Sequence, residues 1–356
     1  MNKIVYFGSK FYDKQQLSSY NIDYASLNKF RKLFNNGLLY SSGIGLPRLQ
    51  IPEWYDTIFD LSVPQWQNKS ITFEEATNNR ALEMMKYYTE DIPILVYWSG
   101  GIDSTCVLSA IHKNFNTEFK KRIKVVLTNQ SYAENPFFFN KIIKPNYKYI
   151  TYGDETYINN YVVHGDPGDA LWLQGNVLDL SKTRNVTNDN ISNDPTNLYY
   201  VYKQKGLEDE ECDWYINFLK HDAKLIDLEL TTTSDYLWWA NYSMHVTTSI
   251  KSLLHRLPTQ DIKNKNFVDA FKNHCLPWFI GNDYQIWSIN SQINGKKYNG
   301  NIRDYKMPAK QYIYDLDKNR YYRDYKTKCI SITNNLKGDL DSPNIIIKQN
   351  CSILHN

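Results

Sequence analysis

Between residues 72 and 164 the spacing of apolar positions changes several times, and each change predicts a new element. Thr72 can cap a helix whose packing positions include Ala76, Leu82 and Met85. Glu74 and Glu75 favour its positive end, and the helix should stop before Pro93. Ile94-Leu95-Val96-Tyr97-Trp98 is continuously apolar rather than alternating, as a parallel strand buried on both faces requires. Cys106, Val107, Leu108, Ala110 and Ile111 then form the packing stripe of a helix beginning near Asp103. The basic residues Lys120, Lys121 and Arg122 precede a second strand, Ile123-Lys124-Val125-Val126-Leu127. A helical or loop segment around Asn135 to Lys144 leads to a third extended piece, Tyr147 to Thr151. Tyr161-Val162-Val163-His164 is the fourth. Strand and helix alternate at spacings that fit an open α/β sheet.

The flanks are patterned differently. Residues 1–70 hold short alternating stretches and the turn-rich run Ser41-Ser42-Gly43-Ile44-Gly45-Leu46-Pro47, with Trp54 and Trp66 expected to cover a neighbouring surface. Residues 181–198 are rich in Asn, Asp and Ser and predict an exposed loop. Beyond it, Glu208 to His221 and Asp235 to Arg256 read as helices, the second carrying Leu237, Trp238, Met244, Ile250, Leu253 and Leu254. The chain end returns to short alternating pieces such as Asn344-Ile345-Ile346-Ile347. The expected organisation is an N-terminal extension over 1–70, an α/β core over 71–200, and a mostly helical substrate region with a tail over 201–356.

Composition narrows the class. A chain of 356 residues can bury an ample core, and 15% aromatic content, 29 Tyr included, makes disulfides unnecessary for it. The tyrosines, like the many Asn, Lys and Ile residues, are explained more simply by an AT-rich gene than by function. The five cysteines, at 106, 212, 275, 329 and 351, contain no CxxC pair, which argues against a zinc ribbon or a dithiol centre. Free thiols fit a reducing, cytoplasmic location. The start, Met1-Asn2-Lys3-Ile4-Val5-Tyr6-Phe7, lacks the apolar core of a secretory leader, and no stretch approaches the ~18 apolar residues of a membrane span. A net charge of +3 does not by itself imply nucleic acid and suits an anionic small substrate.

The chemistry centres on Ser99-Gly100-Gly101-Ile102-Asp103-Ser104-Thr105, between the first strand and its helix. Gly100 and Gly101 let the backbone turn sharply and bring N–H groups close to a phosphate chain. The helix that follows points its positive end at the same anion, and Ser99, Ser104 and Thr105 add hydroxyl donors. Asp103 could serve as an ordinary helix-terminal carboxylate. Beside a polyanion it calls for a divalent cation between them. The run is neither GxxxxGK(S/T) nor GxGxxG. Farther on, the fourth strand delivers Gly165-Asp166-Pro167-Gly168-Asp169-Ala170-Leu171-Trp172 to the sheet edge where ligands collect. That loop is either an Asp-rich turn or a second metal contact.

Ser99-Gly100-Gly101-Ile102-Asp103-Ser104 resembles the SGGxDS loop of the ATP pyrophosphatase (PP-loop) superfamily. The resemblance implies a doubly wound parallel sheet of the adenine nucleotide alpha hydrolase-like kind, ATP binding, and release of pyrophosphate as a substrate is adenylated. Together with the Gly165–Asp169 loop it looks like the synthetase domain of asparagine synthetases, which pairs SGGxDS with a GDGxDE-type loop. The helix opened by Thr72-Phe73-Glu74-Glu75-Ala76 is similar in character to that family's. On this resemblance Asp103 and Asp169 both reach magnesium and pyrophosphate, while Gly165 and Gly168 shape the turn. The likeness covers roughly residues 72–175. The family's acidic residue after the second Asp is Ala170 here, and the helix bearing Glu, Arg and Pro-Phe has no counterpart. The glutaminase half is also missing, with no Cys at position 2. The nitrogen donor is therefore expected to be ammonia, an amine, or a product of a separate partner protein.

Cations must meet the charge that develops as pyrophosphate leaves. Lys306, Lys310, Arg323, Lys326 and Lys328 are the candidates; each alone reads more simply as a solvated surface charge, while of the group one is expected to touch phosphate. The stretches Asp304–Lys310 and Arg323–Lys326 each resemble the family's late lysine-bearing segment, and Lys306 and Lys326 are the first choices. His164 could act as a base, although a packed histidine at a strand end is the simpler reading. His245 and His255 have no partner at metal-ligand spacing. Trp238 and Trp239 serve helix packing or line a pocket. Ser131 and Glu134 follow the second strand, where the superfamily often contacts adenine and ribose.

The leading expectation is a magnesium-dependent, AMP-forming ligase that adenylates a carboxylate or amide-type oxygen of a small acceptor for attack by ammonia or an amine. A nucleobase or tRNA acceptor is the second enzymatic reading. A nucleotide-binding protein without turnover is the third.

Overall fold

The computed structural model describes residues 3–7, 38–42, 70–151, 159–166, 168–172, 198–199, 202–203, 206–224, 228–240, 242, 274–290 and 306–326. Two compact units make up the chain. One comprises residues 72–166, 273–278 and 301–356, and the other 1–71, 167–272 and 279–300. Beyond residue 71 the division is not consecutive, because the first of these units is left at 166 and re-entered at 273 and 301. Among the described residues no helix is long and apolar enough to cross a membrane.

The first unit is α/β. Its sheet comprises β1 (Ile94–Tyr97), β2 (Ile123–Leu127), β3 (Lys148–Thr151), β4 (Tyr161–His164) and β5 (Cys275–Pro277) in the order β3-β2-β1-β4-β5. Every neighbouring pair is parallel, with Val96 opposite Val125 on one side and Val163 on the other. The continuous apolar runs predicted this: β1 and β4 are almost wholly buried. Lys148, Tyr149 and Thr151 of β3 are exposed, as suits an edge strand. Pro277 lies in the other edge strand, where a missing N–H is tolerated. Successive strands step outward from β1 to β3 and then resume on the opposite side at β4.

Helix α1 (Phe73–Tyr87) starts with a reciprocal capping box between Thr72 and Glu75. Its buried positions are Phe73, Ala76, Thr77, Arg80, Ala81 and Met84, spaced by three and four. Leu82 does not pack as expected. It falls outside this stripe and is exposed. Helix α2 (Ile102–Asn114) follows β1 and is buried on nearly every side through Ile111. A short helix α3 (Thr117–Arg122) precedes β2, and α4 (Asn129–Glu134) follows it. The segment 136–146 is helical (α5), widening to a π-helical turn at Phe139–Ile143 just before Pro145, whose ring excludes the ordinary i−4 hydrogen bond.

Helices α6 (Met307–Asp317) and α7 (Arg320–Tyr325) complete this unit. A polar knot joins α6 to α1 and α2. In it the Tyr312 hydroxyl donates to Asn78 Oδ1 at 2.6 Å, and Asn114 Nδ2 donates to the same oxygen at 2.9 Å. Arg80 ties α1 to the end of β5, donating from Nη2 to the Pro277 carbonyl and from Nε to the Trp278 carbonyl, each at 3.0 Å.

The other unit contains an antiparallel pair, Lys3–Phe7 with Leu38–Ser42, and helices Gly168–Leu171, Asp209–Lys224, Thr233–Ala240 and Asn282–Asn290. The expected helix from Glu208 is thus present. That from Asp235 is described to Ala240, and residues 243–256 lie outside the described residues. Trp238 and Trp239 are buried, and Trp238 stacks on Tyr242 at 5.0 Å, so both serve packing. Trp54, Trp66, residues 181–197, His245, His255, Lys328 and the run at 344–347 also lie outside the described residues.

Candidate functional site

The reversal of strand order brings the carboxyl ends of β1 and β4 side by side, the position at which open parallel sheets bind ligands. From β1 the chain continues through Trp98, whose N–H donates to the Val126 carbonyl at 2.9 Å. The indole Nε1 donates to Thr105 Oγ1 at 3.0 Å, clamping the strand end to α2 across the loop. Inside the loop, Ser99 N donates to Ser104 Oγ at 3.0 Å, the two hydroxyls lie 2.9 Å apart, and Gly101 N donates to Ser99 Oγ at 3.2 Å. Ser99 and Ser104 therefore set the loop's shape.

Gly100 has φ +77°, and a Cβ there would stand 2.5 Å from the Ser131 carbonyl oxygen and 2.8 Å from Glu134 Cβ. Only glycine fits that conformation and that space. Gly165, at the end of β4, is under a different constraint: a Cβ would lie 2.9 Å from Ser104 N and 3.1 Å from Ser104 Cα. The second strand end thus abuts the first turn of α2. Gly101 is the N-cap of α2 and no side chain caps that helix, which leaves its amino end suited to an anion.

Three lysines approach from α6 and α7. Lys306, the N-cap residue of α6, takes the left-handed conformation with φ 51°, and its Nζ pairs with Asp103 Oδ2. Lys326, the C-cap of α7, pairs with Glu134 Oε1 at 2.6 Å. Lys310 is fully buried and donates to the Lys326 carbonyl at 3.3 Å. The Tyr322 hydroxyl donates to the Gly100 carbonyl at 3.0 Å. Burial holds this phenol well above the ordinary tyrosine range, so it remains a donor. Burial also raises the Glu134 carboxyl, against the opposing pull of the Lys326 ammonium.

The structure therefore gathers Ser99, Gly100, Gly101, Asp103, Ser104, Thr105, Gly165, Lys306 and Lys326 in one unit. Gly168 and Asp169 belong to the other unit, on its helix Gly168–Leu171. His164 is buried and stacks on Tyr97 at 4.4 Å, as a packed histidine does. Ser131 caps α4 reciprocally with Thr128. Arg323 is an outer cation, paired with Asp324 at 2.6 Å and lying over the Tyr314 ring. Sequence reasoning missed Tyr322, one of 29 tyrosines with no local signature, and also missed the carboxylate pairing of the lysines.

Among the described residues no group of three or more His, Cys, Asp or Glu side chains could hold a metal by itself. Magnesium fits such a donor set when phosphate oxygens and water complete its shell around one or two carboxylates. The glycine cradle, the uncapped helix end and the lysines could receive such phosphates. The chain matches no family model, no curated protein and no solved structure.

Proposed function

We propose that the protein is a magnesium-dependent ATP pyrophosphatase that adenylates a carboxylate or amide-type oxygen for attack by ammonia or an amine, as asparagine synthetase-like ligases do. The observation that carries this reading is the convergence of Lys306 and Lys326 on a glycine loop that opens a helix. The strand order, which steps outward from β1 to β3 and resumes on the opposite side at β4, supports a doubly wound sheet.

In this reading the polyphosphate lies along Gly100, Gly101 and the amino end of α2, with Gly165 closing the far side. Asp103 is the residue of this unit that would hold magnesium, which would supply neutralisation of the phosphate charge. An acceptor oxygen attacks the α-phosphorus, the bond to the β-phosphate breaks, and pyrophosphate departs. Lys306 and Lys326 meet the charge that gathers on the leaving group, and the largely buried setting strengthens that interaction. The amine or ammonia then attacks the activated carbon and expels AMP, a far better leaving group than hydroxide.

The deciding experiment is magnesium-dependent ATP–pyrophosphate exchange against pooled amino acids, other metabolites and RNA, with Asp103→Ala in parallel. Exchange that disappears in the variant supports adenylation and lets the active pool be subdivided. A second reading, nucleotide binding without turnover, draws on the Lys306 ammonium already seated on Asp103. It predicts ATP binding by calorimetry with every pool silent.

A further inference from the structure

Glu134 occupies an unusual place for a carboxylate. It ends α4, and its Cβ stands 2.8 Å from the point where a Gly100 Cβ would be. Its Oε1 lies 3.5 Å from the corresponding point on Gly101. A phosphate chain seated on those glycines comes close to this side chain. Glu134 and Lys326 are 10% and 9% exposed, so water screens neither.

We propose that Glu134 is the proton-linked positioning residue of the nucleotide site: as a polyphosphate enters, Lys326 turns from Glu134 to a phosphate oxygen and Glu134 takes a proton from solvent. The proposal rests on the nucleotide reading of the glycine loop. Lys326 remains an ammonium throughout; one N–H changes acceptor, and one O–H forms at Glu134 from a solvent proton. The Lys326 backbone is fixed, since its N–H donates to the Tyr322 carbonyl at 3.0 Å and its carbonyl receives Lys310. Only the side chain needs to move.

Among the described residues the surroundings give the carboxylate no substitute cation. The loop contributes Ser99, Gly100 and Gly101, none of them charged, and α4 holds no other ionisable group than Tyr132. From α5 comes neutral Asn135, its N-cap. Helix α7 contributes Lys326 and the Tyr322 phenol. Of the other nearby ions, Lys306 of α6 is engaged by Asp103 of α2, and Lys310 by the Lys326 carbonyl. Burial already favours the protonated carboxyl, so losing Lys326 and gaining an adjacent phosphate act in the same direction. The protonated group can donate a hydrogen bond, which a carboxylate beside phosphate cannot.

The test is calorimetry of α,β-methylene ATP with magnesium, an analogue that resists cleavage at the α–β position, in two buffers of different ionisation enthalpy. The intact protein is expected to take up a sizeable fraction of a proton, at most about one per nucleotide, with affinity rising as pH falls by up to about tenfold per unit. Glu134→Gln should bind with no uptake and a flat pH profile. Lys326→Met should bind more weakly and also without uptake, because Glu134 then carries its proton beforehand. It serves as a second check should Glu134→Gln fold poorly. Binding by the intact protein with no uptake, or equal uptake by Glu134→Gln, overturns the proposal. No binding at all by the intact protein overturns the nucleotide reading beneath it.

Discussion

Two glycines with positive φ set the residue-scale comparison. Gly100 and Gly206 have φ values of 77° and 80°, but among the described residues nothing lies within 4 Å of a Cβ built on Gly206. Gly206→Ala should therefore cost only the conformational strain, about 1 kcal/mol. Gly100→Ala adds a collision with the Ser131 backbone and should cost about 2–4 kcal/mol in urea unfolding, with loss of nucleotide binding. Equal costs for the two would show that the loop yields easily. This part of the site was legible in the sequence because paired glycines between a strand and a helix have few other uses. Tyr322 was not, since a phenol reaching a carbonyl from 222 residues away leaves no local pattern.

At the scale of elements, the apolar periods located β1, β2, β4 and α2 within a residue or so. They were blind to β5, whose three residues, Cys275–Pro277, are too short to show a period. What positions β5 is a cation. Arg80 spans two backbone carbonyls near its end, a geometry that a forked guanidinium satisfies and a single ammonium does not. Arg80→Met should lose about 3 kcal/mol through two unsatisfied buried acceptors, and Arg80→Lys should recover only part of it in thermal or urea unfolding. The amino end of α1 gives a pH-dependent counterpart. Thr72 backbone and hydroxyl bonds hold the Glu75 carboxyl below its usual range. Its contribution is then present above the unfolded-state value and disappears as pH falls through the lower folded value. Glu75→Gln should accordingly flatten the acid limb of the stability–pH curve and leave its alkaline limb unchanged.

On the scale of the whole molecule, the sequence pattern ran along the chain and so implied consecutive segments. Completing the α/β unit instead requires returns at 273–278 and 301–356. Hydrophobic period reports which face of an element is covered but carries no information about which distant element covers it. The lysines illustrate the gap: their type and late position marked them, whereas the carboxylates that receive them lie 203 and 192 residues earlier. A site assembled in this way forms only once α6 and α7 have docked beside the Gly100 loop.

The buried thiols turn that dependence into something that can be timed. Cys106, next to Thr105, and Cys275 in β5 belong to the α/β unit, whereas Cys212 belongs to the other. Burial pushes Cys212 up to about 11 and raises Cys106 further still, with Asp103 adding to the latter. Thiolate chemistry at these positions must wait for the surrounding structure to open. Alkylation followed by peptide mass analysis thus gives each unit its own clock. A ligand seated on the Gly100 loop should slow the Cys106 clock while leaving that of Cys212 running at its former pace.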